Sequence, residues 1–314
     1  ELSMKIRTIF TRSTAALALA FTGSACAQQQ KPTPVAPVQV AAAEAEMDGP
    51  ALWKVADEDT TIYLFGTVHL LPNDIEWKTD TIRTALSSSD TLVTEIDMTE
   101  EALAAMGPLV QSKAMLSEGQ TLRSLLSAEQ RTSFEGALAK LGMPANALDP
   151  VEPWFAALTL ANVAYAKNGM NPELGVETVL ESAVSPDTKR DALETVEFQF
   201  AIFDELPMDQ QIKYLMETAE QLDDLGPTLD KMIAEWAAGN PDGLGDLMNE
   251  ALEGDPALAD KLLYARNANW AIWIDDRMDM PGTLFMAVGA GHLAGEKSVQ
   301  DYLVGRGFTV TRVQ

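Results

Sequence analysis

Two histidines occur in the chain, His69 and His292, and each closes a short turn of the same kind: Gly66-Thr67-Val68-His69 and Gly289-Ala290-Gly291-His292. Each turn directly follows an apolar run, Ile62-Tyr63-Leu64-Phe65 in the first and Leu284-Phe285-Met286-Ala287-Val288 in the second. A glycine at the end of a strand lets the backbone turn sharply and approach a ligand closely, and imidazole serves as a metal ligand or a proton carrier near neutral pH. A lone histidine of this kind reads as a satisfied polar residue or a helix cap; two matching turns point to one shared site. Glu95 joins them, because it stands near the end of the apolar run 91–96, where a carboxylate is out of place unless it is paired, binds a metal or works as a base. Asp97 opens the next loop and reads as a cap for the next helix. Two imidazoles and one carboxylate form a common ligand set for zinc, manganese, cobalt or iron, so the set does not choose the metal. His69, His292 and Glu95 are therefore the expected catalytic and metal-binding residues, with Gly66, Thr67, Gly289 and Gly291 shaping the turns beside them.

The elements that must position these residues follow from hydrophobic period and turn chemistry. Residues 52–55 and 61–65 read as a hairpin around Asp57-Glu58-Asp59, 75–86 as a helix and 91–96 as a buried strand. The middle is helical, approximately over 99–113, 128–140, 152–167, 173–184, 194–204, 208–238 (broken near Gly226-Pro227) and 256–278, with a short strand at 191–193. A strand at 283–288, a helix at 295–304 and a strand at 308–313 close the chain. The expected fold is α/β (α+β): a mixed, largely parallel sheet formed by the N- and C-terminal halves, with a large helical insertion. In such a sheet the loops leaving the carboxyl ends of the strands gather at one edge. The two turns meet there if the strands ending at Gly66 and Gly289 are near neighbours and run parallel.

Three further residues could line the site. Glu177 and Glu194 either face it or satisfy helix N-termini. Arg266, in a helix with Leu262, Leu263, Trp270 and Trp273, either pairs with a core carboxylate or clamps an acidic group of a substrate. The methionines read as packing. No phosphate loop, nucleophile elbow or His-Glu-x-x-His helix occurs, so nucleotide use, serine hydrolysis and ordinary zincin chemistry lack their motifs.

The whole chain narrows the class. Its 314 residues are 46% hydrophobic and 22% charged, which suits a folded globular domain. A net charge of -25 repels phosphate backbones and anionic headgroups, so nucleic acid is not an expected partner. Lys5, Arg7 and Arg12, the apolar run 15–21 and Ala25-Cys26-Ala27 have the layout of a secretory signal peptide over 1–27, with 1–3 as an upstream scar and Gln28 as the mature N-terminus. Lipid anchoring through Cys26, the one cysteine, is the lesser alternative, since Gly23 stands where a lipoprotein signal carries leucine. A disulfide is excluded. Residues 28–50, rich in Pro, Ala and Gln, read as a disordered linker before a domain over 51–314. No later stretch suits a permanent membrane span, and the expected location is periplasmic or secreted.

Taken in order, Leu52-Trp53-Lys54-Val55, the run from Tyr63 through Gly66-Thr67-Val68-His69 to Pro72, Thr91-Leu92-Val93-Thr94-Glu95-Ile96-Asp97 and Gly289-Ala290-Gly291-His292-Leu293 resemble the TraB/PrgY/GumN family, which includes the animal Tiki proteases. Gly175-Val176-Glu177, Leu193-Glu194-Thr195 and Arg266-Asn267 are similar to internal landmarks of that family, so the likeness spans nearly all of 51–314. The resemblance implies an erythromycin-esterase/ChaN-like α/β core and, by way of Tiki, metal-dependent peptide cleavage supported by manganese or cobalt. The expectation is an exported metal-dependent hydrolase, peptidase-like, holding a divalent ion (Mn, Co or Zn) and acting on a peptide or other small extracytoplasmic substrate. The alternative is a non-catalytic periplasmic protein that binds a peptide, haem or metal.

Overall fold

The computed structural model describes residues 49–97, 99–252 and 256–314; the expected signal peptide and nearly all of the expected linker lie outside the described residues. The strands are β1 (Leu52–Ala56), β2 (Thr60–Thr67), β3 (Thr91–Thr94), β4 (Lys189–Ala192), β5 (Gly282–Gly289) and β6 (Val310–Arg312). They form one mixed sheet in the order β4-β3-β5-β2-β1-β6. β1 and β2 make the expected antiparallel hairpin, with Asp57 Oδ1 accepting the backbone N–H groups of Asp59 and Thr60 in its turn. β2 pairs in parallel with β5, β5 with β3 and β3 with β4, while β6 runs antiparallel to β1. The late strand β5 thus lies in the middle of the sheet. This is the α/β arrangement expected from the sequence, with N- and C-terminal strands interleaved and a helical insertion between them.

Alternation along the strands divides the core in two. Leu284, Met286 and Val288 of β5 face the same side as Ile62, Leu64 and Val93, where α12 (Ala265–Met278) and α13 (Val299–Gly305) cover them through Trp270, Ala271, Ile274 and Leu303. Phe285 and Ala287 face the other side with Leu52, Phe65 and Leu92, into the larger core built by the insertion. The chain from β2 to β5 supplies α1 (Asp80–Ser87), α2 (Glu100–Lys113), α3 (Leu122–Leu125), α4 (Ala128–Leu141), α5 (Pro153–Lys167) and α6 (Val176–Ala183). Then come α7 (Val196–Asp204), α8 (Met208–Glu220), α9 (Leu225–Ala237), α10 (Pro241–Leu252), α11 (Pro256–Ala259) and a π-helical turn, Asp260–Tyr264, that runs into α12. α5 is buried along most of its length, from Trp154 to Tyr165, because nearly every side chain it carries is apolar. No described helix is long and apolar enough to cross a membrane.

The structure redraws three expected elements. α1 starts only at Asp80, where Thr79 caps it by accepting the Ile82 N–H; the residues before it instead carry Trp77 against Phe65, ring centres 5.7 Å apart. The long helix over 208–238 breaks at 221–224, ahead of Gly226-Pro227, and Pro227 falls in the first turn of α9, where a missing N–H leaves no bond unmade. The sequence reading places no helix over 241–252, yet α10 forms there and carries two glycines, Gly243 and Gly245. Gly245 brings α10 against the backbone of Gly295: a Cβ on it would lie 2.6 Å from the Gly295 Cα.

Candidate functional site

The parallel pairing of β2 with β5 sets Gly66 opposite Val288 and Thr67 opposite Gly289, so both histidine turns open at one edge of the sheet. They touch: a Cβ on Gly66 would lie 3.0 Å from the Ala290 Cα. β3 ends with Thr94 opposite Ala287, which carries Glu95 to the same edge, where its Oε1 accepts the Gly289 N–H at 2.7 Å. The space that a Cβ on Gly289 would fill lies 3.0 Å from Glu95 Oε1, 3.6 Å from the His292 ring and 4.0 Å from His69 Nε2. The three side chains singled out from the sequence therefore converge beside one glycine.

Each imidazole is held at its outer nitrogen. His69 Nδ1 lies 2.6 Å from Glu177 Oε1, which also accepts the Thr67 hydroxyl at 2.5 Å. Glu177 stands in the first turn of α6, where a carboxylate is favoured. That helix comes so close through Gly175, where any Cβ would overlap the His69 carbonyl oxygen, and through the Val176 N–H, which donates to Val68 O at 3.0 Å. Burial works against a charge on His69, but Glu177 outweighs it and raises the pKa to about 9; burial likewise opposes ionisation of Glu177, yet His69 pulls its pKa down. His292 Nδ1 meets Asn267 Oδ1 at 2.5 Å, and the Asn267 amide nitrogen donates to Lys297 O. That orientation makes the amide oxygen the acceptor and leaves the lone pair of His292 on Nε2, which faces Arg266 Nη1 at 3.2 Å. Burial, reinforced by Arg266, lowers the His292 pKa to about 3, so this ring is neutral.

Arg266 is the centre of the cluster and is buried. Its Nε donates to Glu194, Nη1 to Leu262 O and toward His292, and Nη2 to Glu95 Oε2 at 2.6 Å and Glu194 Oε2 at 2.8 Å. All five N–H groups are engaged. Of the two roles open from the sequence, this is the core ion pair, and no donor is left to clamp a substrate. Burial disfavours the Glu95 carboxylate, but Arg266 and, behind it, the histidines and the Gly289 N–H hold its pKa well below the usual carboxylate range. Glu95 is thus a fixed anion and a poor proton acceptor. Glu194 also accepts the Trp270 indole N–H at 2.9 Å, and that indole packs on His292 with ring centres 4.2 Å apart.

Two side chains that complete the network were not assigned a role from the sequence. Gln199, buried on α7, donates to Glu95 Oε2 at 3.0 Å and to Glu194 Oε2 at 3.2 Å; the signal was an amide inside the apolar run 198–203. Asn267 fixes the His292 tautomer, and its only sequence mark was its place beside Arg266.

His69, Glu95, Arg266 and His292 form the polar floor of a cavity of about 100 Å³, whose opposite wall is Leu229, Met232, Leu244, Met248 and Leu263. Among the described residues no three His, Cys, Asp or Glu side chains close into a metal cage. The residues nevertheless fit a divalent ion with two protein donors. His69 Nε2 and Glu95 Oε1 converge on the space beside Gly289, and His69 has its outer nitrogen anchored on a carboxylate, as metal-ligating imidazoles do. With both imidazoles neutral, Glu95, Glu177 and Glu194 outnumber Arg266 by two charges, which a dication or protons would balance. The third expected donor, His292 Nε2, is engaged by Arg266 and joins only if that bond yields.

A mixed α/β sheet carrying a buried His/Glu/Arg cluster at the carboxyl ends of its parallel central strands is the class that fold and site define. The family model for the TraB/PrgY/gumN family matches residues 51–312, and the chain belongs to that family. No curated protein and no solved structure matches the chain.

Proposed function

We propose that the protein is a metal-dependent hydrolase of carbonyl substrates, peptidase-like, in which His69 and Glu95 hold a divalent ion. The observation that carries this reading is the convergence of His69 Nε2 and Glu95 Oε1 on the space beside Gly289, at the floor of a cavity whose other wall is apolar. A divalent ion there would polarise the carbonyl and lower the pKa of an attacking water. The chain's own residues do the rest. Glu177 holds the Nδ1 proton of His69 and so aims the Nε2 lone pair at the cavity. Arg266 keeps Glu95 ionised and fixed, which suits a ligand better than a general base. Asn267 and Arg266 together lock His292 as a neutral ring, and the leucine and methionine wall makes one side of the site apolar, which strengthens the charge interactions beside it. The signal-peptide layout at 1–27 supports a periplasmic or secreted location and a small extracytoplasmic substrate. The test is a peptide library digested by purified protein with manganese or cobalt. Cleavage that stops on chelation and in His69→Ala supports the reading; chelator-resistant cleavage, or none with a stoichiometric ion bound, overturns it.

One observation favours a second reading, a binding protein without turnover. His292 spends its cavity-facing nitrogen, and Glu95 its Oε2, on Arg266, whose own donors are all engaged, which leaves the cluster little freedom to rearrange during a reaction. A ligand retained intact after long incubation would favour it.

A further inference from the structure

The apolar wall of the cavity comes from one stretch late in the insertion: Leu229 and Met232 of α9, Leu244 and Met248 of α10, and Leu263 of the π-helical turn. Burying such side chains against each other would stabilise the fold as well without leaving a gap, and the gap lies directly over the polar floor. Its size decides what fits. An apolar cavity of roughly 150 Å³ takes a benzene ring, whereas this one, at about 100 Å³, is smaller. A branched aliphatic group therefore suits this volume better than an aromatic ring. Met248 sets the limit on one side. It packs so tightly on the second histidine turn that any Cβ on Gly291 would run into its methyl group, so that turn carries glycine where the wall leans on it.

We propose that this cavity is a specificity pocket for a branched aliphatic group of leucine or valine type, seated next to the carbonyl that faces His69 and Glu95, with Met248 as its size-determining residue. The substrate class follows from the hydrolase reading in taking a carbonyl as the polar end, but the aliphatic recognition is tested without turnover. The probes are three neutral amides, isovaleramide, phenylacetamide and acetamide, titrated without metal into full-length protein carrying 13C-methyl-labelled methionine. Isovaleramide is expected to shift the Met232 and Met248 methyl signals saturably and to bind about fifty-fold more tightly than acetamide, from three more buried carbons at roughly 0.8 kcal/mol each. Phenylacetamide is expected to leave both signals unmoved. In Met248→Ala the order should reverse in favour of phenylacetamide; should that variant fold poorly, Met248→Leu, of similar volume, should keep the preference of the natural protein. Equal affinity for the three amides, or shifts confined to other methionines, overturns the pocket. Aliphatic selectivity with no peptide cleavage would leave the pocket standing and remove the hydrolase; cleavage indifferent to aliphatic side chains would do the opposite.

Discussion

At the scale of single residues, His69 decides between a proton and an ion. In the metal-free protein Glu177 raises its pKa to about 9, from 6.5 in an unfolded chain. A raised value in the folded state contributes stability that is fully present below pH 6.5 and is lost as pH rises through about 9, here on the order of 3 kcal/mol. Chemical denaturation of metal-free protein between pH 6 and 10 should therefore show stability declining across that window. The decline should be absent in Glu177→Gln; an unchanged profile in that variant would remove Glu177 as the cause. Because an ion must displace the same proton, manganese affinity should climb about tenfold per pH unit up to about pH 9. Calorimetric titration checks this, and a flat pH dependence would place the ion away from His69. Arg266 makes a different kind of prediction. Replacing it with leucine strands Glu95 and Glu194 in the interior and should cost about 3–5 kcal/mol of stability, as breaking a buried ion pair does. Adding Glu194→Gln should return part of that loss, and strict additivity of the two changes would mean that they do not share a network.

At the scale of elements, the sheet was legible because its strands carry the two signals that sequence conveys best. Apolar runs such as 284–288 mark a strand buried on both faces, and a glycine with histidine after each run marks where it ends. The meeting of the two turns depended on β2 and β5 being parallel neighbours, which the pattern allowed and the structure shows. What stayed hidden was mainly tertiary. α10 contains two glycines that lower helix propensity, and only its contact with Gly295 explains one of them. Gln199 is an ordinary amide until α7 packs it between two carboxylates. The commitment of His292 Nε2 to Arg266 depends on a side-chain direction that no spacing reveals. Gly175 belongs to this scale as well, since its missing side chain lets α6 reach His69. Gly175→Ala should force the helix back from the His69 carbonyl and cost about 1–3 kcal/mol, as overpacking does. It should also lengthen the bond between Glu177 and His69, lowering the His69 pKa in an NMR titration. Loss of stability with the titration unmoved would mean that the helix yields elsewhere.

At the scale of the whole molecule, a net charge of -25 makes the folded state repel itself. Raising salt from about 10 mM to about 0.1 M shortens the Debye length from roughly 30 Å to 10 Å, so the melting temperature should rise over that range; a fall would show that attractive surface pairs outweigh the repulsion. The position of β5 has a consequence in time. It fills the slot between β3 and β2, although residue 282 leaves the ribosome long after residue 67, by about 10–45 s at ordinary rates of synthesis. Until it arrives, β2 and β3 each present an unpaired edge, a hazard for aggregation, and Glu95 lacks the Gly289 N–H on which it rests. A nascent chain therefore has neither a closed sheet nor a working floor to its cavity. Whatever chemistry the cavity performs is withheld from every unfinished copy and switched on by the strand that joins β3 to β2.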